Sequence, residues 1–272
     1  MRMHSRVVTA FSLLVFGVFG NSTTSARDDF EFANGLARMG YFDLAQEHFE
    51  YLKSKGKAAD AEFGLCRLKS MQAKFLPNIE EKMKGYDQAM DCFRAYARKY
   101  PRNRNREARL EVADIQQQKG RHFKYQMETT SNEESRSEFR KRASKEFVDA
   151  AKEYRTIYKS RSVSEDLKAE SWYLAVESLT LAGEVLEKGN ADRRKHFEAV
   201  VIEAEEFVWE YEPQIIAYYC YVLQGQAYAG LGKWREARNA FTAVIEIDLD
   251  QEAPEVKQMA APLLLKAYHA FI

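Results

Sequence analysis

The stretch that decides the fold runs Gly225-Gln226-Ala227-Tyr228-Ala229-Gly230-Leu231-Gly232-Lys233-Trp234-Arg235-Glu236-Ala237-Arg238-Asn239-Ala240-Phe241. Trp234 is followed three residues later by Ala237, seven later by Phe241 and ten later by Val244. Those offsets fall on one stripe of an amphipathic helix. The glycines ahead of Trp234 mark a turn between that helix and the one before it.

Working outward, the phrase recurs as Phe42-x-x-Ala45, Tyr86-x-x-Ala89, Phe147-x-x-Ala150 and His196-x-x-Ala199. Four residues past each Ala stand Phe49, Phe93, Tyr154 and Glu203, and seven past stand Leu52, Tyr96, Ile157 and Glu206. Four of the five copies therefore keep aromatic, small, aromatic, apolar. The copy at 196 keeps its start and then departs, with Phe207 and Trp209 expected to take over its packing. Two helices cross closely only where one offers a small side chain, so each Ala is read as a notch flanked by large residues.

The last copy resembles a tetratricopeptide repeat: small residue, Tyr three later, Gly at the turn, aromatic, Ala, aromatic. The first copy matches through Ala33, Leu36, Gly40, Phe42, Ala45 and Phe49. The middle copies are degenerate, but Ala61 to Lys74, Arg106 to Lys119 and Leu167 to Leu186 are helical in pattern and supply their first helices. Tyr100-Pro101 closes the second repeat where the family often carries Pro. The resemblance implies an all-α fold, a right-handed α-solenoid of about five helix-turn-helix repeats near 28–55, 58–101, 105–160, 165–212 and 214–250. The Ala-to-Ala spacings of 44, 61, 49 and 38 exceed the family's unit, and the excess is expected between paired helices. The longest insertion, about 120 to 142, is polar and Ser/Thr/Glu-rich and reads as a loop or a helix extension.

Residues 251–272 read as a capping helix or the start of a further repeat. Met259, Leu263, Leu264 and Ala267 are expected to pack on the fifth repeat. A cap should turn a polar face outward, yet this segment is apolar to Ile272. It is therefore also a candidate contact for self-association through 254–272.

The N-terminus carries Arg2 and Arg6, then the uncharged run from Val7 to Phe19, then small polar residues to Ala26. Thirteen residues are too few to span a bilayer, which takes about 20. This is the layout of a secretory signal peptide over 1–26, with cleavage expected after Ala26. Its removal leaves 39 basic and 41 acidic residues, a net charge of −2. No later stretch reaches spanning length, so no membrane span is expected after signal removal. The expected address is exported, the periplasm or cell envelope for a bacterial chain.

Near-neutrality argues against a nucleic-acid partner. Scarce Pro (5) and Gly (13) favour long helices. The three cysteines, Cys66, Cys92 and Cys220, have no CxxC spacing. Cys66 and Cys92 pair only if neighbouring helices bring them together, and buried thiols are the plainer reading. Catalytic signatures are missing: no HExxH, GxSxG, Walker loop, GxGxxG or EF-hand. His48 and His196 read as packing residues. The acidic run Glu203, Glu205, Glu206, Glu210, Glu212 reads as a solvated face, since one helix spreads these carboxylates rather than converging them on a metal. The basic groups Arg102, Arg104 and Arg106, and Arg136 to Lys145, could meet an anionic partner, but no aromatic interleaves with the Arg triplet, which weakens nucleic-acid binding. No cofactor or metal is expected, and the chain is not expected to be an enzyme.

The family tends to bind peptides or helices in the groove lined by its first helices. Carried over position by position, the resemblance implies Asn34 and Arg38, Asp114 and Gln117, Glu177, and Tyr219 and Gln226 as partner-binding residues. The clamp that some members use for a terminal carboxylate is not expected, because Phe30 stands where Lys would be wanted. The reading is a non-enzymatic scaffold for a protein or peptide partner. Its alternative is a regulatory or N-terminal region of a larger enzyme, or a self-assembling structural protein.

Overall fold

The computed structural model describes residues 24–161, 163–246 and 254–271. The expected signal segment, up to residue 23, lies outside them. All eleven elements are helices, and no strand occurs among the described residues: α1 (Thr24–Arg38), α2 (Phe42–Ser54), α3 (Ala58–Phe75), α4 (Ile79–Lys99), α5 (Asn105–Thr129), α6 (Glu133–Tyr158), α7 (Glu165–Val185), α8 (Ala191–Tyr211), α9 (Ile215–Gly230), α10 (Trp234–Glu246) and α11 (Pro254–Phe271). Ala26, the expected cleavage point, stands in the first turn of α1. The chain divides into two compact units, to Gly64 and from Leu65.

In the first unit α1 and α2 form a hairpin closed at Gly40. Its φ of 86° is a left-handed conformation that a side chain would strain. The amide of Gly40 donates to the Ala37 carbonyl and that of Tyr41 to the Leu36 carbonyl, which satisfies the open end of α1. Ala33, Ala45, Phe49 and Leu52 are fully buried there with Phe30 and Phe63. The Phe30 and Phe49 rings lie 5.8 Å apart.

The second unit repeats that logic. Gly232 (φ 77°) closes α9 with the same pair of backbone bonds, Gly232 to Ala229 and Lys233 to Tyr228. Elsewhere side chains start the helices: Asn78 accepts from the Glu80 and Glu81 amides, Asn132 from Ser135, and Asn190 from Asp192 and Arg193. The insertion at 120–142 is a helix extension. α5 continues to Thr129 and α6 begins at Glu133, because only Thr130-Ser131-Asn132 breaks an otherwise helix-favouring run.

Ala89, Ala150 and Ala237 are fully buried. Facing them is a feature the sequence reading missed. A side-chain carbon on Gly120 of α5 would lie 2.7 Å from the Phe147 ring of α6. One on Gly183 of α7 would lie 2.8 Å from Phe197 of α8, and one on Gly225 of α9 would lie 2.4 Å from Phe241 of α10. These three hairpins each seat a phenylalanine against a helical glycine. Gly within a helix is disfavoured by up to about 1 kcal/mol, and the close ring contact explains its presence.

Four expectations are corrected. In α8 the packing aromatic is Phe197, 2% exposed, one residue past His196, with Val200 at the small position and Ala204 where the other copies carry a second ring. Phe207 is buried as expected, but Trp209 is 88% exposed because it lies on the opposite side of α8. On α11, Val256 and Ala260 are buried and Leu264 packs beside them, whereas Met259 turns outward; the side chains of Leu263 and Ala267 lie outside the described set. Cys66 of α3 and Cys92 of α4 are not thiols but a disulfide, since their Cα atoms lie 5.4 Å apart. Cys220 is a buried free thiol, and burial pushes its pKa well up.

Candidate functional site

Within the second unit α7 packs against both α5 and α9, so the three first helices of successive hairpins lie side by side. α5 carries Glu111, Asp114, Gln117 and Arg121 at helical spacing, and α7 carries Glu170, Tyr173 and Glu177. Spacings of three and four place each set on one face.

The polar atoms on these faces are connected. The Gln117 amide donates to Glu177 Oε2 at 2.9 Å and to Ser178 Oγ at 3.1 Å. Arg121 donates to Glu177 Oε1 at 3.2 Å. Tyr154 of α6 donates its hydroxyl to Asp114 Oδ1 at 2.6 Å. Arg67 of α3 pairs with Glu111 at 2.5 Å. The Tyr173 ring meets Tyr219 of α9 edge-on, with centroids 6.1 Å apart. Four carboxylates are thus served by two arginines, and neither Asp114 nor Glu170 forms an ion pair among the described residues.

The electrostatics follow. Burial, reinforced by the neighbouring charge of Glu111, lifts the Asp114 pKa to about 7 against the opposing pull of the Tyr154 hydrogen bond. Burial also raises Glu170. Tyr173 is pushed well above the ordinary phenol value by burial, then by Glu177. Deeper between helices, Lys119 of α5 bridges Asp87 of α4 at 2.7 Å and Glu146 of α6 at 2.8 Å. Burial lowers its pKa, and those two partners more than offset the effect.

Of the residues expected to bind a partner, the structure brings together Asp114, Gln117 and Glu177, with Tyr219 adjoining through Tyr173. Gln226 lies apart, lining a depression at the turn end of α8 to α10 with Phe197 and Trp234. Asn34 and Arg38 belong to the first unit. Asn34 is 1% exposed, with no hydrogen bond to either amide atom among the described residues, and Arg38 is exposed. Sequence reasoning missed Arg121 and Tyr173. Both were marked by spacing, four residues after Gln117 and four before Glu177.

No protein-family model matches this chain, and no curated protein matches it. A solved structure titled "Computational Design of Self-Assembling Cyclic Protein Homooligomers" is similar at 14% identity and a TM-score of 0.32, covering 90% of this chain and 92% of that one. That likeness is too low to carry an argument.

The remaining charged groups are largely spent within the chain. Arg104 pairs with Glu107 at 3.1 Å, Arg136 with Glu133 at 2.6 Å, and Arg140 with Glu187 at 2.5 Å. Arg142 lies over the Phe123 ring, 4.1 Å from its centroid. His48 packs against Phe32, centroids 5.2 Å apart. Glu203 pairs with Arg155 and Glu210 with Lys168. Among the described residues no three His, Cys, Asp or Glu side chains converge as a metal site. No described helix is long and apolar enough to cross a membrane.

Proposed function

We propose that this chain is an exported, non-enzymatic scaffold of the tetratricopeptide type, a right-handed solenoid that holds a protein segment along the α5–α7–α9 face. The observation that carries the proposal is the row formed by Asp114, Gln117, Arg121 and Glu177, bordered by Tyr173 and Tyr219. It offers donors and acceptors to a peptide backbone, and two unpaired carboxylates to a basic side chain. A Lys or Arg of the partner set against Asp114 and Glu170 would lower their pKa values and be held by charge-assisted hydrogen bonds.

Recurring glycine-and-ring hairpins support the repeat reading, since stacked repeats touch only their neighbours. The Cys66–Cys92 disulfide supports the exported address, because such bonds persist in oxidising compartments.

The test is affinity capture with the exported, processed chain beside Gln117→Ala and Glu177→Ala. One defined partner at stoichiometric yield is expected for the parent and loss of it for the variants, with capture strengthening as pH rises through 7. Recovery of chaperones alone, or equal capture by the variants, rejects the binding face. Amino-terminal sequencing of the exported protein checks the address, with Arg27 expected first.

A further inference from the structure

Helix α8 has a second face that the hairpin core does not use. Ile202, Glu205, Glu206 and Trp209 follow one another at helical spacing and all point to solvent. Ile202 is 58% exposed and Trp209 is 88% exposed. Neither Glu205 nor Glu206 forms an ion pair among the described residues. A bare indole flanked by unneutralised carboxylates is an unusual thing to leave in water.

The other end of α8 bears the complement. A depression of about 960 Å³ opens between the α7–α8 turn and the α9–α10 turn. Trp234 is its part-exposed ring, and Phe197 and Phe241 lie buried behind it. Lys188, Arg193 and Lys233 border it, and no carboxylate pairs with any of the three among the described residues. Arg193 donates to the Leu186 carbonyl and lies over the Phe197 ring, while Lys233 lies over Tyr228. The acids of the rim are already engaged: Glu184 pairs with Lys124 at 3.0 Å and Glu198 with Arg194 at 2.8 Å. The site therefore has an uncompensated positive rim beside the half-exposed Trp234 indole, and it has room for a large side chain.

We infer that the Trp209 face of one copy docks into the Lys188–Arg193–Lys233 depression of a second copy. Arg194 and Trp209 are fifteen residues apart on one straight helix, about 22 Å, so the indole cannot reach the depression of its own chain. The two surfaces are different patches, which makes the contact head-to-tail and lets each copy bind one neighbour at each end. Charge complementarity sets the orientation, since Glu205 and Glu206 meet the lysines while the indole meets Trp234 and the cationic rim. This contact is separate from the α5–α7–α9 face, and neither reading rests on the other.

The test is sedimentation of the mature chain over a concentration series at low and high salt. Species larger than a dimer are expected, dissociating as salt rises. Trp209→Ala and the paired reversal Lys188→Glu/Lys233→Glu should each weaken association at least tenfold, with unchanged helical circular dichroism. Mixing those two variants should restore association but stop it at a dimer, because one contributes only a knob and the other only a depression. Glu205→Arg/Glu206→Arg provides a second knob variant that keeps the indole. A parent that stays monomeric throughout overturns the inference, as does association unaffected by these variants or a mixture that fails to pair.

Discussion

In the α9–α10 hairpin Phe241 sits against Gly225, Ala237 is fully buried, and the residues match the repeat pattern position by position. In the α7–α8 hairpin the corresponding ring is Phe197, which sits against Gly183 on one side and Gly230 of the next hairpin on the other. Val200 holds the place of the notch Ala, and Ala204 that of the second ring. Both hairpins meet the same packing requirement, a ring entering a gap in a helix, but α10 does so with the second ring of its stripe and α8 with a ring one residue past the first position. Counted from Phe197, the later stripe positions are Ala204 and Phe207, both fully buried, so Glu203 and Glu206 fall beside the stripe and not on it. What α8 turns outward is the face that carries Ile202, Glu205, Glu206 and Trp209. A repeat keeps its inner contacts and varies where a neighbour does not touch it.

The sharpest way to break this comparison is to remove the rings. Phe197→Ala and Phe241→Ala should each destabilise the fold by about 3–5 kcal/mol, the range for deleting a buried aromatic. His196→Ala should stay within about 0.5 kcal/mol, as expected for a half-exposed residue. Urea denaturation midpoints of the three variants decide the register. If His196→Ala is the costly one, the copy begins at 196 after all.

Filling the gaps comes next in size. Gly225→Ala places a carbon 2.4 Å from the Phe241 ring, and Gly183→Ala places one 2.8 Å from Phe197. The second contact is longer, yet the Phe197 ring cannot retreat, because a carbon on Gly230 would already lie 2.3 Å from its far edge. Both variants should therefore lose about 1–3 kcal/mol, measured as the same midpoint shift. A Gly183→Ala variant that gained stability would show that the α7 gap is slack.

Helices, turns and the inward Ala row were legible because period and glycine placement are local properties. The register of α8 was not. His196 and Phe197 both bear rings and Ala199 and Val200 are both small, so a one-residue slip keeps the pattern. Pairing of Cys66 with Cys92 depends on a Cα separation that spacing along the chain does not supply. At the candidate site, Asp114, Gln117 and Glu177 could be named from the family resemblance. Arg121 and Tyr173 take their significance from contacts between α5, α7 and α9, which one helix's periodicity cannot reveal.

The inner faces sharpen the comparison further, since α7 brings Glu170 and Glu177 toward α5 while α9 brings Tyr219. Asp114, with a folded pKa near 7 against an ordinary value near 4, keeps a proton in the folded chain that the unfolded chain releases. Its contribution to stability is full below about pH 4 and lost as pH rises towards 7. Asp114→Asn retains an acceptor for Tyr154 and cannot ionise, so it should flatten that fall and gain about 1–2 kcal/mol at pH 8. Melting temperatures across pH 4 to 8 measure this. An unchanged slope would mean that Asp114 is ionised throughout and that its charge is met by water.

The smallest effect is expected where the sequence pattern was most misleading. Trp209 is the largest side chain on α8 and was read as a packing residue, yet at 88% exposure it has almost no contacts to lose. Trp209→Ala, measured at a concentration low enough to keep the chain monomeric, should shift stability by no more than about 0.5 kcal/mol. The same substitution in the buried position two residues earlier, Phe207→Ala, should approach the 3–5 kcal/mol of the other core rings. If the two variants were equally destabilising, the outward face of α8 would be part of the core and the distinction between the hairpins would collapse. If only Phe207→Ala unfolds the chain, the indole contributes nothing to folding, and its place on α8 has to be explained by what it meets outside the molecule.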